Sequence, residues 1–188
     1  PVAMQQGRHV AKQIKNLAAV VAGRTLIGAS ILIPIAIYGK KFGGAVLGFK
    51  YVAFYALMEM IGPWILITTA EQKINSGLAG LLVSTVPIFA TIITSLRGDH
   101  SVWEFKRIFG IIVGFIGLIL VVGIESLSGN SDPLSIAMVI VASMGYAYAV
   151  IMVTSNLPLV DGIAINGLAM AITTVSVSYT HLTLPTKA

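Results

Sequence analysis

The chain has 188 residues, of which 56% are hydrophobic and only 10% are charged. Soluble domains carry about 25% charged residues, so this composition excludes an ordinary soluble domain and is typical of an integral membrane protein. The net charge of +5 comes from Lys and Arg that lie mostly in short segments between apolar runs. Such a distribution is typical of topology signals, and it argues against a nucleic-acid partner.

The chain also lacks the residue sets that common enzymes and metal sites need. It has no Cys, which excludes disulfides, thiolate nucleophiles and Cys-based metal sites. His9, His100 and His181 are far apart in the sequence and form no ligand cluster. No Ser-His-Asp set and no phosphate-binding Gly-rich loop is recognisable. We therefore expect a protein that is not an enzyme and that uses no cofactor and no metal.

Residues 1–16, PVAMQQGRHVAKQIKN, are polar and basic, unlike the rest of the chain. They are predicted to form a lead-in separate from the membrane domain, for which two interpretations stay open. One is a soluble, disordered basic segment. The other is a foreign segment, because QQGRHVAKQI resembles a stretch of type II NADH dehydrogenases. That resemblance covers less than a tenth of the chain, and no function follows from it.

Six apolar runs follow, and each is predicted to be a helix because a lone strand cannot satisfy its backbone hydrogen bonds in lipid. Crossing the hydrocarbon core takes about 20 residues. Residues 17–176 are thus predicted to form one domain, an all-α polytopic membrane helix bundle with five to six transmembrane helices. The runs are residues 17–38, 51–69, 78–96, 108–124, 134–153 and 163–177, the last of which is short for a span.

The loops predict an orientation, because Lys and Arg in short loops mark the cytoplasmic side. The first loop (39–50) and the third (97–107) each carry three such residues, whereas the second and fourth together carry only Lys73. The first and third loops should therefore lie inside, and the second and fourth outside. Residues before 17 would then lie outside although three of them are basic, which indicates a further helix ahead of residue 17.

The last residues, 177–188, break the apolar pattern. They are predicted to lie outside the membrane domain, and again two interpretations stay open. VSYTHLTLPT resembles the translation of a transposase-type sequencing adapter, in which case the natural sequence would continue beyond about residue 176. The alternative is an ordinary disordered C-terminus.

One acid, Glu59, lies midway along the second predicted span, YVAFYALMEMIGPWILITT. A charged side chain at that depth costs about 3 kcal/mol on insertion scales. A partner charge, a water-filled cavity or a neutral protonation state would be needed to offset this cost. In a regular α-helix Tyr55, Gly62, Pro63 and Leu66 share a face with Glu59, so Tyr55 joins it as a candidate solute-binding residue.

Pro63 cannot donate a backbone hydrogen bond to the carbonyl of residue 59, and it is therefore predicted to loosen the helix beside the acid. A loosened helix at the midplane is typical of solute or proton sites in carriers. Glu59 is accordingly the principal candidate for such a site. The alternative is a structural acid that is hydrogen-bonded to a neighbouring helix.

Two further candidates lie in the first and fifth spans. Arg24 is predicted toward the outer end of the first span, where it could contact an anionic solute, pair with Glu59 or extend to the membrane interface. Tyr146 could line a cavity or simply pack against another helix.

Small and polar residues form a stripe along the third span, and Ser84 and Thr91 are its candidate solute-binding residues. Small residues let helices approach closely, so the stripe fits either packing or a cavity lining. Pro87 is predicted to open the helix near this level. Gly110 and Gly114 form a GxxxG pattern in the fourth span, which indicates helix packing.

Three stretches together resemble transporters of the drug/metabolite transporter superfamily, EamA type. They are RTLIGASILIPIAIYGKKFG, ALMEMIGPWILITTAEQKINSGLAGLLVSTVPIFATI and FKRIFGIIVGFIGLILVVGIE. The resemblance runs from about residue 24 to residue 174. It implies a ten-helix inverted-repeat transporter, in which the first five spans of this chain correspond to the second to sixth helices and the last run to the start of the seventh.

The resemblance also implies a function: a secondary transporter that moves small organic metabolites or drugs across a bacterial inner membrane by alternating access. Its partners would be a small-molecule solute, protons and the lipid bilayer, and a homodimer is left open. The alternative is a non-transporting membrane fragment or an interaction module.

Overall fold

The structure is a computed structural model that describes the backbone of residues 2–123 and 132–183, and the side chains of residues 19–123 and 132–179. Every regular element in these ranges is helical. The α-helices are α1 (Val2–Tyr38), α2 (Phe42–Leu47), α3 (Phe49–Ala56), α4 (Gly62–Ala70), α5 (Ser76–Val83), α6 (Val86–Leu96), α7 (Phe105–Val122), α8 (Pro133–Asn156) and α9 (Gly162–Thr183). A π-helical turn, Leu57–Ile61, joins α3 to α4, and a 3-10 turn, His100–Trp103, precedes α7.

Six helical segments in the described part of the chain are long and apolar enough to cross a membrane, which confirms the predicted all-α polytopic bundle. The sixth segment is longer than the sequence suggested, because α9 continues through the polar residues after 177. The segments are Ala19–Tyr38, Phe49–Ala70, Ser76–Leu96, Phe105–Val122, Pro133–Asn156 and Gly162–Tyr179.

The first loop differs from its prediction, because it contains the six-residue helix α2. Two glycines of this segment permit close packing. A Cβ added at Gly44 would stand 3.1 Å from the side chain of Val160, and one added at Gly48 would stand 2.6 Å from that of Leu157. The turn before α2 is tight, since Lys40 adopts a left-handed φ of 55°.

The chain divides into two compact units, of which the first comprises Pro1–Leu57 and Leu157–Ala188. In this unit α1 runs along α9, and α2 and α3 also pack on α9. Hydroxyl oxygens of Thr25 and Thr174 lie 2.8 Å apart across the α1–α9 contact. Gly167 lets the two helices approach, because a Cβ there would stand 3.2 Å from Leu32.

The second unit, Met58–Asn156, is organised around α8, on which α4, α5 and α6 pack. Small residues of α8 are buried at these contacts, among them Ala142, Ser143 and Ala147. Small side chains allow helix backbones to come close, which is how membrane helices gain packing energy. α7 contacts α5 and the 3-10 turn.

The third span is interrupted between α5 and α6, which confirms the predicted opening at Pro87. Hydroxyl groups satisfy backbone carbonyls at this break. Thr85 Oγ1 donates to the carbonyl of Leu82 at 2.6 Å. Ser143 Oγ of α8 shares its hydrogen between the same carbonyl, at 3.1 Å, and that of Val139, at 2.9 Å. Side-chain donors of this kind are what make an interrupted helix tolerable in lipid.

Two ion pairs join loops within the units. In the first unit, Lys41 Nζ lies 2.8 Å from Asp161 Oδ2, which joins the first loop to the fifth. In the second unit, Lys73 Nζ lies 3.4 Å from Asp132 Oδ2, which joins the second loop to the fourth. Each pair connects loops that an alternating path through the membrane places on the same side.

Candidate functional site

Glu59 lies in the π-helical turn Leu57–Ile61, immediately before α4. Pro63 is near the start of α4, and it has no N–H to donate to the carbonyl four residues earlier. A π turn is one of the local adjustments by which a helix accommodates such a missing hydrogen bond. The predicted loosening of the helix beside the acid is therefore confirmed, and it takes the form of this turn.

One oxygen of the Glu59 carboxyl group is buried without a partner among the described residues. The side chain is half-buried, yet its Oε2 atom is fully enclosed and has no hydrogen-bond partner among the described residues. A buried polar atom left without a partner costs about 1–3 kcal/mol. Buried polar groups in folded proteins are nearly always paired, whereas this oxygen has no partner among the residues that the structure describes.

α8 forms one wall beside this acid. A Cβ added at Gly145 would stand 3.3 Å from the main-chain oxygen of Met58 and 3.9 Å from Cγ of Pro63. The next residue, half-buried Tyr146, lies close enough to Glu59 for the two side chains to interact electrostatically. The second unit thus brings together two of the residues that the sequence singled out, Glu59 and Tyr146.

The hydroxyls of Ser84 and Thr91 are engaged locally. Ser84 Oγ donates to the carbonyl of Leu81 at 2.6 Å, and Thr91 Oγ1 donates to the carbonyl of Pro87 at 2.8 Å. Thr91 is also buried, with 2% of its surface exposed. Their donor hydrogens therefore serve the α5–α6 backbone, and only their oxygen lone pairs remain for a solute.

Tyr55 lies in the first unit and is buried there. Its hydroxyl donates to Oδ1 of Asn166 at 3.3 Å, and Asn166 Nδ2 donates to the carbonyl of Gly162 at 2.9 Å. Sequence reasoning missed Asn166. A polar amide inside an apolar run was the signal that could have found it, since such side chains form hydrogen bonds between membrane helices.

Arg24 is exposed on α1, also in the first unit. It makes no hydrogen bond or ion pair with any side chain in residues 19–123 and 132–179. No group of three or more His, Asp or Glu in the described residues is placed to bind a metal ion.

The EamA-like transporter family model matches residues 6–123, which extend from α1 through α7. The chain belongs to this family. The match includes the π turn with Glu59 and both halves of the interrupted third span. It also includes most of residues 1–16, whose separation from the membrane domain stays a prediction. No curated protein and no solved structure matches this EamA-like chain. The family gives its general function, a membrane transporter.

Proposed function

We propose that the protein is a secondary carrier, which moves small organic metabolites or drugs across a bacterial inner membrane by alternating access. Glu59 would bind the solute or a coupled proton. The observation that supports this role is its buried Oε2, which lacks a hydrogen-bond partner in the described part of the chain. An ionisable group within a membrane span is costly, and is usually retained for function.

The chemistry of the site defines what it can bind. An ionised carboxylate accepts hydrogen bonds from an ammonium or amide group, and a protonated carboxyl can donate one. A solute that offers a matching donor or acceptor would satisfy the oxygen that has no partner among the described residues. Tyr146, whose side chain interacts electrostatically with Glu59, is the second group that we propose for the same solute. We therefore favour solutes that carry a hydrogen-bond donor or a positive charge next to an apolar body.

The π turn suits a carrier because its backbone can form hydrogen bonds in more than one pattern. A helix can change between i+4 and i+5 hydrogen bonding over a few residues, and π turns occur frequently at functional sites. A small local change of this kind would reorient the carboxyl group. Alternating access requires that one binding group become reachable from each side of the membrane in turn.

The test is uptake of a panel of radiolabelled amino acids and quaternary ammonium compounds by proteoliposomes that contain the purified chain. Glu59→Gln should reduce the uptake of any transported solute to the level of empty liposomes. The matched control is Glu71→Gln, since Glu71 is exposed at the end of α4, and this variant should transport normally.

Labelling with a hydrophobic carbodiimide provides a second measurement that does not depend on transport. The reagent should modify Glu59 in the intact protein, and a transported solute should protect it. Wild-type uptake by Glu59→Gln would refute the assignment, provided that its helix content and thermal unfolding match those of the parent protein.

A further inference from the structure

Residues 38–50, from the end of α1 to the start of α3, form a segment with one packed side and one exposed side. Ala45 of α2 is fully buried, and Gly44 lies against the side chain of Val160. On the other side Leu47 is 91% exposed, and Phe49 is 52% exposed. A short helix that is packed on one side and presents apolar side chains on the other is suited to lie at a membrane interface.

Three lysines lie in this segment, and they differ in their partners. Lys41 is paired with Asp161 at 2.8 Å. Lys50 Nζ lies 4.8 Å from the centroid of the Tyr51 ring. Neither Lys50 nor Lys40 has an acidic partner among the residues that the structure describes. Two ammonium groups without an acidic partner in the described residues thus lie in the same segment as the exposed apolar side chains.

An exposed tyrosine lies at the end of the first span, where membrane helices often carry aromatic residues. Tyr38 ends α1 and is 89% exposed. Tyrosine is enriched where hydrocarbon meets headgroups, because its ring is apolar and its hydroxyl is polar. The segment therefore offers positive charge, an interfacial aromatic ring and an apolar surface together.

From this combination we infer that Tyr38, Lys40, Leu47, Phe49 and Lys50 form a binding surface for the headgroup of an anionic phospholipid, here called the lysine surface. The two ammonium groups would contact the phosphate, while Leu47 and Phe49 would contact the adjoining acyl chains. A soluble polyanion would satisfy the charges but would leave those two apolar side chains in water. This inference is independent of the transport function.

The test is a lipid titration of the purified chain in detergent, followed by native mass spectrometry. The probes are phosphatidylglycerol and, for comparison, zwitterionic phosphatidylcholine. Phosphatidylglycerol should bind more tightly than phosphatidylcholine. Each lysine near a lipid phosphate should contribute roughly fivefold in affinity, so Lys40→Gln/Lys50→Gln should weaken phosphatidylglycerol binding by about 25-fold.

The control is Lys106→Gln/Arg107→Gln, which removes the same charge from exposed positions at the start of α7. It should change binding by less than about twofold. An equal loss in both double variants, or no loss in the first, would overturn the proposal. A Leu47→Ser/Phe49→Ser variant should also bind phosphatidylglycerol more weakly. Complete displacement of the lipid by inorganic phosphate would show that phosphate alone is recognised, and it would contradict the lipid assignment.

Discussion

Gly145 of α8 lies directly against the backbone of Met58, since a Cβ at this glycine would stand only 3.3 Å from the Met58 carbonyl oxygen. A larger side chain would have to push the π turn away from α8, because a backbone atom cannot rotate aside. We expect Gly145→Val to destabilise the protein by about 1–3 kcal/mol, as overpacked core positions do. Thermal unfolding in detergent would measure this loss.

Gly114→Val is the matched control, because nothing lies within 4 Å of a Cβ added at Gly114. It places the same side chain in the middle of α7. The two variants should therefore differ clearly in unfolding temperature. Equal unfolding temperatures would mean that the contact at Gly145 has no effect on stability.

Glu59→Leu should stabilise the fold while it abolishes transport. The substitution removes a half-buried carboxyl whose Oε2 has no described partner, and it puts an apolar side chain in a membrane span. We expect a gain of about 1–2 kcal/mol. Such opposed effects on stability and activity are common at functional sites. A destabilised Glu59→Leu protein would instead indicate that the carboxyl group is structural.

How far the sequence predicts this site depends on the kind of contact. Glu59 and Pro63 are close in sequence, and simple helix rules placed an acid beside a loosened turn. The rules could not tell that the turn would be π-helical, or that Oε2 would lack a partner, because both depend on which helix packs alongside. Tyr146 is far along the chain, and only the fold shows that it is near Glu59.

The loops also form contacts that the sequence alone does not predict. Loop charges predicted which loops lie inside and which outside. They could not predict the pairing of Lys41 with Asp161, which is set by tertiary packing. The packing role of the glycines at 44 and 48 was not predicted, because a glycine that permits close approach has the same sequence signature as one that permits a turn.

Asp132 should contribute more to stability than Lys73, its partner in the second unit. Asp132 Oδ2 accepts hydrogen bonds from the backbone N–H of Ser135 at 3.0 Å and from Ser135 Oγ at 2.8 Å, and it thus caps the start of α8. Lys73 offers only an exposed ion pair at 3.4 Å. Caps generally contribute more than exposed pairs.

We therefore expect Asp132→Ala to lower the unfolding temperature more than Lys73→Ala does. Thermal unfolding followed by circular dichroism at 222 nm gives the comparison, with Asp132→Asn as a variant that retains a capping oxygen. If Lys73→Ala proves equally destabilising, the ion pair rather than the cap is the stabilising contact.

Asp161 should titrate in acid in a way that depends on Lys41. The hydrogen bond from Lys41 and the one from the backbone N–H of Ile163 lower the pKa of Asp161 below its ordinary value. Because the folded-state pKa is lowered, the stabilisation is present above the unfolded-state pKa of about 3.9 and is lost as the pH falls through the folded-state pKa.

The measurement is the carboxyl carbon chemical shift of Asp161 against pH, in detergent. Lys41→Gln should raise the pKa of Asp161 toward its ordinary value. Asp99 serves as an internal reference, since its pKa is lowered mainly by hydrogen bonds from Ser101, and its titration should not change. An unaltered Asp161 titration in Lys41→Gln would contradict the pairing.

The exposure of the fourth span, α7, affects how the protein should be purified. No residue of this helix is buried against other described parts of the chain. Its contacts with α5 and the 3-10 turn bury none of its residues, so the acyl chains around it act as its main solvent. α7 should therefore be the first span to lose its helical order in a short-chain detergent, and added lipid should restore that order. The choice of amphiphile thus becomes part of the folding conditions of this protein.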